Sequence, residues 1–359
     1  MPKWFNPYAR KKFNRNIPAV LSFIIIIILI LLACLAYLIS PDQSPNANRQ
    51  ILEIQGKPPG FTQSFLKIPH SKEEPLSIVR HFLFGQPYSY QLLPITDYVK
   101  QVNGYRVEHY IDEDTTEVLF FPNAATTKKQ PYAIVKKTFW LGTDTFGRDV
   151  LSRALIGLRI SLAVGFIAAF VSLFIGVTLG AIAGYYGGRA DKIIQWLINV
   201  MWSIPTILLV FALTIALGKG FFQIFFAVGL TLWVPVARLV RGQVLVVREL
   251  EYIQAAITLG LPSYHIILRN ILPNIIGPIL VLTAANFASA ILIESGLSFL
   301  GVGVQPPVPS LGLMLREHYT YIITNHAMLA IIPGLIIMLL VLVFNLVGNG
   351  LRDALDVRN

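Results

Sequence analysis

The chain has 359 residues, of which 55% are hydrophobic and only 13% charged, with a net charge of +10. Average soluble domains carry about 25% charged residues, and several runs here exceed the roughly 18 apolar residues that mark a bilayer-spanning helix. These values set a soluble globular domain aside and predict an all-α integral membrane protein with six transmembrane helices.

Residues 1–16 hold Lys3, Arg10, Lys11, Lys12 and Arg15 with no acidic residue, which reads as a basic cytoplasmic tail under the positive-inside rule. The apolar run at 17–39 is the first predicted span. It is too long for a signal-peptide core, and "YLISPDQSP" offers no small-x-small cleavage site. Cys34, the single cysteine, lies inside this run and excludes an intrachain disulfide and a cysteine-based metal site. No two of the six histidines are spaced i,i+3 or i,i+4, so no metal site is expected.

Residues 40–139 differ in kind. They are rich in proline and charge and contain no long apolar run. "YRVEHYIDEDTTEVLFF" alternates apolar and polar residues around 112–115, the pattern of a β-hairpin. A small β-containing extracytoplasmic insert is predicted here. Tyr88, Tyr90, Tyr98, Tyr105, Tyr110, Phe120 and Phe121 supply aromatic area for a small core or a docking face. One small sheet offers little concave volume, which favours a docking or capping surface over a cargo pocket.

The stretch "GTDTFGRDVLSRALIGLR" predicts an interfacial helix over 140–157. Val150, Leu151, Ala154, Leu155 and Leu158 share one face at helical spacing, and Asp149 with Arg153 forms an i,i+4 pair on the other. A five-helix core follows over 158–348, with spans at about 158–183, 193–217, 221–240, 276–300 and 327–347, and a cytoplasmic tail at 349–359. Arg189, Lys192, Arg238, Arg241, Arg248, Arg269, Arg352 and Arg358 fall on the side of the N-terminus, against Lys219 and Arg316 in the linkers opposite, so both termini are expected in the cytoplasm. Arg148, Arg153 and Arg159 run against the rule on the outer side, and a re-entrant or inside placement of their segment is the alternative.

Within the core, Pro205 and Pro235 are expected to kink spans three and four. Asn286 and Glu294 are polar residues inside span five; such residues face a bundle interior or a water-filled cavity. Asn286, Glu294 and Pro205 are therefore the candidate translocation-pathway residues.

Between spans four and five lies a longer polar segment, 242–275, containing "EYIQAAITLGLPSYHIILRNILPN". Gly260 allows a left-handed turn and Pro262 suits the first turn of a following helix, so two short helices are predicted to meet there. A DNA-binding helix-turn-helix is incompatible with a loop pinned by spans on both sides. A bare connector needs fewer residues. A docking element for a cytosolic partner explains the length.

This segment resembles the EAA loop of ABC importer permeases, with Gln254, Ala255 and Ala256 as the triplet, then Gly260, Leu272 and Pro273. The stretches "LGTDTFGRDVLSR", "GAIAGYYGGRAD", "SIPTILL", "SFLGVGVQPPVPSLG" and "FNLVGNGLRDALDVR" resemble the permease subunits of dipeptide/oligopeptide/nickel importers, over residues 140–358. Gln254 stands where the family has Glu, Asn349 where it usually has Asp, and Leu311 where it often has Trp. The resemblance implies an ABC importer permease fold and an ATPase-coupling loop containing Glu251, Gln254, Ala255, Ala256, Gly260, Pro262 and Pro273. It also marks Asp144, Gly147, Arg148 and Asp149 as an interfacial family motif. The implied partners are a sister permease, two ATPase subunits carrying ATP and Mg, and an extracytoplasmic substrate-binding protein, in contact with membrane lipid and without nucleic acid. The implied cargo is a short peptide, with nickel chelates and peptide-like antibiotics as alternatives.

The chain itself contains no GxxxxGK[ST], HExxH or GxSxG motif, so it is expected to be a translocation subunit and not an enzyme. A self-sufficient secondary transporter or channel is the alternative; it predicts an inverted repeat and intramembrane charge pairs.

Overall fold

The computed structural model describes residues 7–69, 77–87, 89–122, 132–218, 221–324 and 326–355, so Tyr88, Lys219 and Arg358 lie outside it. The basic tail forms helix α1 (Pro7–Arg15), and α2 (Ile17–Cys34) follows after Asn16, whose side chain caps α2 by accepting from the Ala19 N–H at 3.2 Å. Eighteen residues in α2 give about 27 Å of helix, close to the thickness of the hydrocarbon core. The chain steps at Leu35 into the single turn α3 (Ala36–Ile39), which completes the predicted first span.

The insert holds five strands: β1 (Phe61–Pro69), β2 (Tyr90–Gln101), β3 (Gly104–Tyr110), β4 (Thr116–Pro122) and β5 (Ala133–Phe139), with helix α4 (Ile78–Phe84) between the first two. The predicted hairpin is β3–β4, paired from Gly104↔Pro122 to Tyr110↔Thr116. The full sheet is antiparallel in the order β4-β3-β2-β1-β5, so the last strand returns to pair with the first. Neighbouring strand residues point to opposite faces, and Phe65 and Leu66 each anchor a separate cluster. Phe65 packs with Ile51, Ile54, Leu92 and Phe139; Leu66 packs with Ile95, Val107 and Tyr132. Tyr105 and Phe121 close on Tyr132 at 6.0 and 5.8 Å, whereas Tyr98 and Phe120 stay about half exposed.

The predicted interfacial helix is not a separate element. Helix α5 (Val150–Tyr186) runs unbroken for 37 residues, and residues 140–149 before it are turns and a short bridge between Thr143 and Asp149. The apolar face predicted for lipid is instead covered by protein: Val150 and Ala154 pack on Met314 and Leu329. The opposite face is buried as well, because Arg153 is 1% exposed and turns toward Glu317, 3.3 Å away, and not toward Asp149.

Span three is broken. Helices α6 (Gly188–Trp202) and α7 (Thr206–Leu217) meet at 93° across 203–205. Pro205 cannot continue the first helix, having no N–H and biasing Ile204 away from helical dihedrals. Helix α8 (Phe221–Arg248) carries Pro235 inside it and extends eight residues past the predicted end at 240. After it come α9 (Glu251–Thr258) and α10 (Ser263–His265), the latter continuous through a π segment (Ile266–Ile271) with α11 (Leu272–Phe299). The predicted second short helix is therefore the first part of span five. The π segment has a local cause: Pro273 offers no N–H to the Arg269 carbonyl, and its ring would crowd that oxygen in a regular α-helix. Helices α12 (Leu311–His318) and α13 (Met328–Leu355) complete the chain.

Small residues set a close contact in the core. Gly176, Gly180 and Gly184 form one stripe of α5 against α8, and a Cβ at Gly180 would lie 2.5 Å from the Ala237 carbonyl oxygen. Such close approach is how helices associate where lipid removes most of the hydrophobic drive. A second layer joins α2, α5, α11 and α13 through Ile26, Leu29, Leu162, Ile291, Leu340 and Val343.

Candidate functional site

The predicted coupling residues come together as one exposed elbow. Helix α9 buries only Ile253 and Ala256, three residues apart, and leaves Glu251, Gln254, Ala255, Gly260 and Pro262 exposed. Glu251 in the first turn suits the positive end of the helix dipole. Gly260 has φ +76° and closes a Schellman turn: its N–H donates to Ile257 O at 2.9 Å and the Leu261 N–H donates to Ala256 O at 3.2 Å. Nothing lies within 4 Å of where a Gly260 Cβ would stand, so its requirement is conformational and not steric.

Around the turn, Leu259, Tyr264 and Leu268 are 80%, 68% and 60% exposed. The elbow is nonetheless fixed to the span beneath it, because Gln254 Nε2 donates to Arg248 O at 2.9 Å and Asn274 Nδ2 donates to Tyr252 Oη at 2.9 Å. Pro273 is exposed at the head of α11.

The motif residues gather in a buried ion cluster at the start of α5. Asp144 Oδ1 accepts from the Phe146 and Arg148 N–H groups, both at 2.9 Å, and Oδ2 accepts from Arg148 Nε at 2.6 Å. Gly147 has φ +68° and sits directly on the Ile51 carbonyl, leaving no room for a Cβ. Asp149 caps α5, its Oδ2 accepting from the Ser152 N–H at 2.8 Å. Glu317, on α12, receives Arg148 at 2.9 Å and Arg153 at 3.3 Å. Sequence reasoning missed Glu317 and His318; their only signal was a charged stretch in an otherwise neutral linker.

Asp144, Glu317 and His318 offer three ligand atoms within 4.8 Å of one another. The two arginines already balance both carboxylates, so the trio has no need of a cation. Burial pushes the His318 imidazole below its ordinary range, and its Nδ1 lies 2.8 Å from Met314 O.

The candidate pathway residues do not converge. Glu294 is fully buried and accepts from Ser298 Oγ at 2.7 Å and Ser161 Oγ at 3.2 Å. Asn286 is also buried, its Nδ2 donating to Leu232 O at 3.2 Å and Ser172 Oγ at 3.4 Å. Glu294 therefore ties α11 to this chain's own α5, and Asn286 ties it to α5 and α8. Pro205, in contrast, lies exposed at the α6–α7 corner beside Trp202 and Leu208.

Among the described residues, apolar helices of spanning length, five of them together with one bent pair, define a polytopic membrane protein. The chain belongs to the family of binding-protein-dependent transport system inner membrane components, whose model matches residues 176–359. Residues 7–59 match the N-terminal transmembrane domain of oligopeptide transport permease C. It is 43% identical over 217 residues to a dipeptide transport system permease protein of Bacillus subtilis, covering 60% of this chain and 68% of that one. A glutathione transport system permease protein of Pectobacterium atrosepticum is 42% identical over 60% of this chain and 72% of its own length. An oligopeptide transport system permease protein of Bacillus subtilis is 40% identical over 61% and 72%. The chain is thus a multi-pass inner-membrane permease subunit of an ABC importer, a class in which separate subunits hydrolyse ATP and a binding protein delivers substrate.

Proposed function

We propose that this subunit imports short peptides or related small compounds, pairing with a sister permease and docking one of two ATPase subunits at the 242–275 loop. ATP and Mg bind on those ATPases. The cargo class rests on the relatives described above. The docking reading is carried by the Gly260 elbow, an apolar exposed surface that is hydrogen-bonded to the spans on both sides. A rigid elbow can transmit ATPase closure as rocking of the spans between inward- and outward-open states.

In this reading residues 1–16, 242–275 and 349–359 are cytoplasmic and 40–139 extracytoplasmic. The contact of Asn16 Nδ2 with Asp353 Oδ2 at 3.5 Å supports termini on one side of the membrane, as an even number of spans requires. Asn286 and Glu294 lock helices together, and the α6–α7 corner with Pro205 faces the sister subunit along the pathway. The insert, on the side where cargo arrives, meets the binding protein.

Single cysteines in a Cys34→Ser background test the arrangement with a membrane-impermeant maleimide. In intact spheroplasts a cysteine at Val102, 96% exposed in the insert, should be labelled, and one at Leu259 should be protected until the membrane is opened. Labelling at 259 in intact cells would invert the topology and remove the docking role.

A further inference from the structure

The insert contains a concavity that its flat sheet did not lead one to expect. Three adjoining cavities of about 470, 290 and 330 Å³ meet at Arg49. They lie where the segment after α3 folds over β1, β2 and β5 and where α5 begins, so the crevice sits at the ends of two spanning helices. Its volume is within the range of small-molecule sites.

Charges of both signs line the crevice: Asp42, Arg49, Lys137 and Asp149 share the 290 Å³ cavity. Arg49 and Lys67 stack on the Tyr90 ring, 4.5 and 3.8 Å from its centroid, and Lys137 lines the two smaller cavities. Among the described residues no carboxylate lies within ion-pair distance of Lys137, and burial holds its ammonium below the ordinary range. Asp149, 4% exposed, lines the same 290 Å³ cavity as Arg49 and Lys137. Its Oδ2 binds Ser152, but its Oδ1 has no hydrogen-bond partner among the described residues, and burial raises its carboxyl. Asp42, by contrast, is satisfied by the Ser44 and Arg49 N–H groups at 3.1 and 3.3 Å. A buried carboxylate oxygen without a partner is costly, and an ammonium group placed there would satisfy it. Ile51, Leu92 and Phe139 supply the apolar lining of the same cavity.

We propose that this crevice binds a small zwitterion, its carboxylate or phosphate held by Arg49 and Lys137 and its ammonium by Asp149. A short peptide and the headgroup of an ethanolamine phospholipid share this chemistry. The test uses the full-length chain in nanodiscs. In phosphatidylglycerol discs, dialanine is titrated by calorimetry; in a second arm, the melting temperature is compared with and without phosphatidylethanolamine. Peptide binding that weakens about tenfold or more in Lys137→Gln, and likewise for N-acetyl-dialanine, which lacks the ammonium, assigns the peptide source. Stabilisation by phosphatidylethanolamine that Lys137→Gln abolishes assigns the lipid. No response in either arm, or dialanine binding indifferent to both the substitution and the acetylation, overturns the proposal. Neither arm involves an ATPase, so the result is independent of the docking role of the elbow.

Discussion

The spanning core and the β insert are held together by opposite means. In the core, α5 and α8 meet through glycines with backbone almost touching backbone, and buried polar residues such as Asn286 and Glu294 are satisfied inside the chain. In the insert, alternate residues of short strands build two thin clusters, while charged groups line a crevice. The core packs backbone against backbone, whereas the insert holds a crevice lined by charged groups. The two family matches end at residue 59 and resume at 176, so the whole sheet falls between them. The difference separates a core reached by the family matches from a sheet that lies between them.

The ion cluster joining the two regions gives the largest expected effect. Arg148→Met leaves Asp144, 1% exposed, without its 2.6 Å partner, and removing one member of a buried pair costs about 3–5 kcal/mol. Thermal unfolding in detergent should show a strong loss; an unchanged melting temperature would mean that the cluster contributes nothing. Next comes Gly180→Val, which overpacks the helix contact by about 1–3 kcal/mol or more, whereas Val102→Ala in the exposed hairpin turn should stay within about 0.5 kcal/mol. Equal effects at the two sites would erase the contrast between core and insert.

Removing the sheet over 61–139 behind a short linker should lower uptake at limiting cargo and leave basal ATPase activity intact, since every spanning helix is kept whole. Full uptake would show that the insert has no part in capture. The smallest effect concerns pH. The folded state holds His318 below its ordinary value of 6.5, so as pH falls through 6.5 the unfolded chain takes up a proton that the folded chain refuses, and stability declines. His318→Gln should flatten the melting profile between about pH 7 and pH 5.5; an identical slope would remove His318 as its source.

The features legible in the sequence were those written locally. Apolar runs placed the spans, alternation placed β3 and β4 around 112–115, and a lone glycine before Leu261-Pro262 placed the left-handed turn. What escaped depended on distant partners. Asp149 and Arg153 looked like an exposed i,i+4 pair because Glu317, which claims Arg153, lies 164 residues further on. The other three strands escaped because β5 pairs with β1 across an interval containing β2, β3 and β4. The crevice belongs to no element: it exists only once the loop at Arg49, the sheet and the head of α5 are assembled. Asn286 and Glu294 were read as facing a bundle interior or a water-filled cavity, and only the fold shows that their hydrogen-bond partners lie in this same chain.

The central claim, that the Gly260 elbow couples ATP hydrolysis in a partner to movement of these spans, is tested most directly by Gly260→Val in the reconstituted importer. The left-handed φ of +76° costs a β-branched residue about 1–3 kcal/mol, and with nothing within 4 Å of the new side chain the damage stays in the turn. The account predicts a subunit that still inserts and assembles, with ATP hydrolysis retained and ATP-driven uptake of a short peptide lost or strongly reduced. Wild-type uptake by this variant would contradict it and reduce the elbow to a connector.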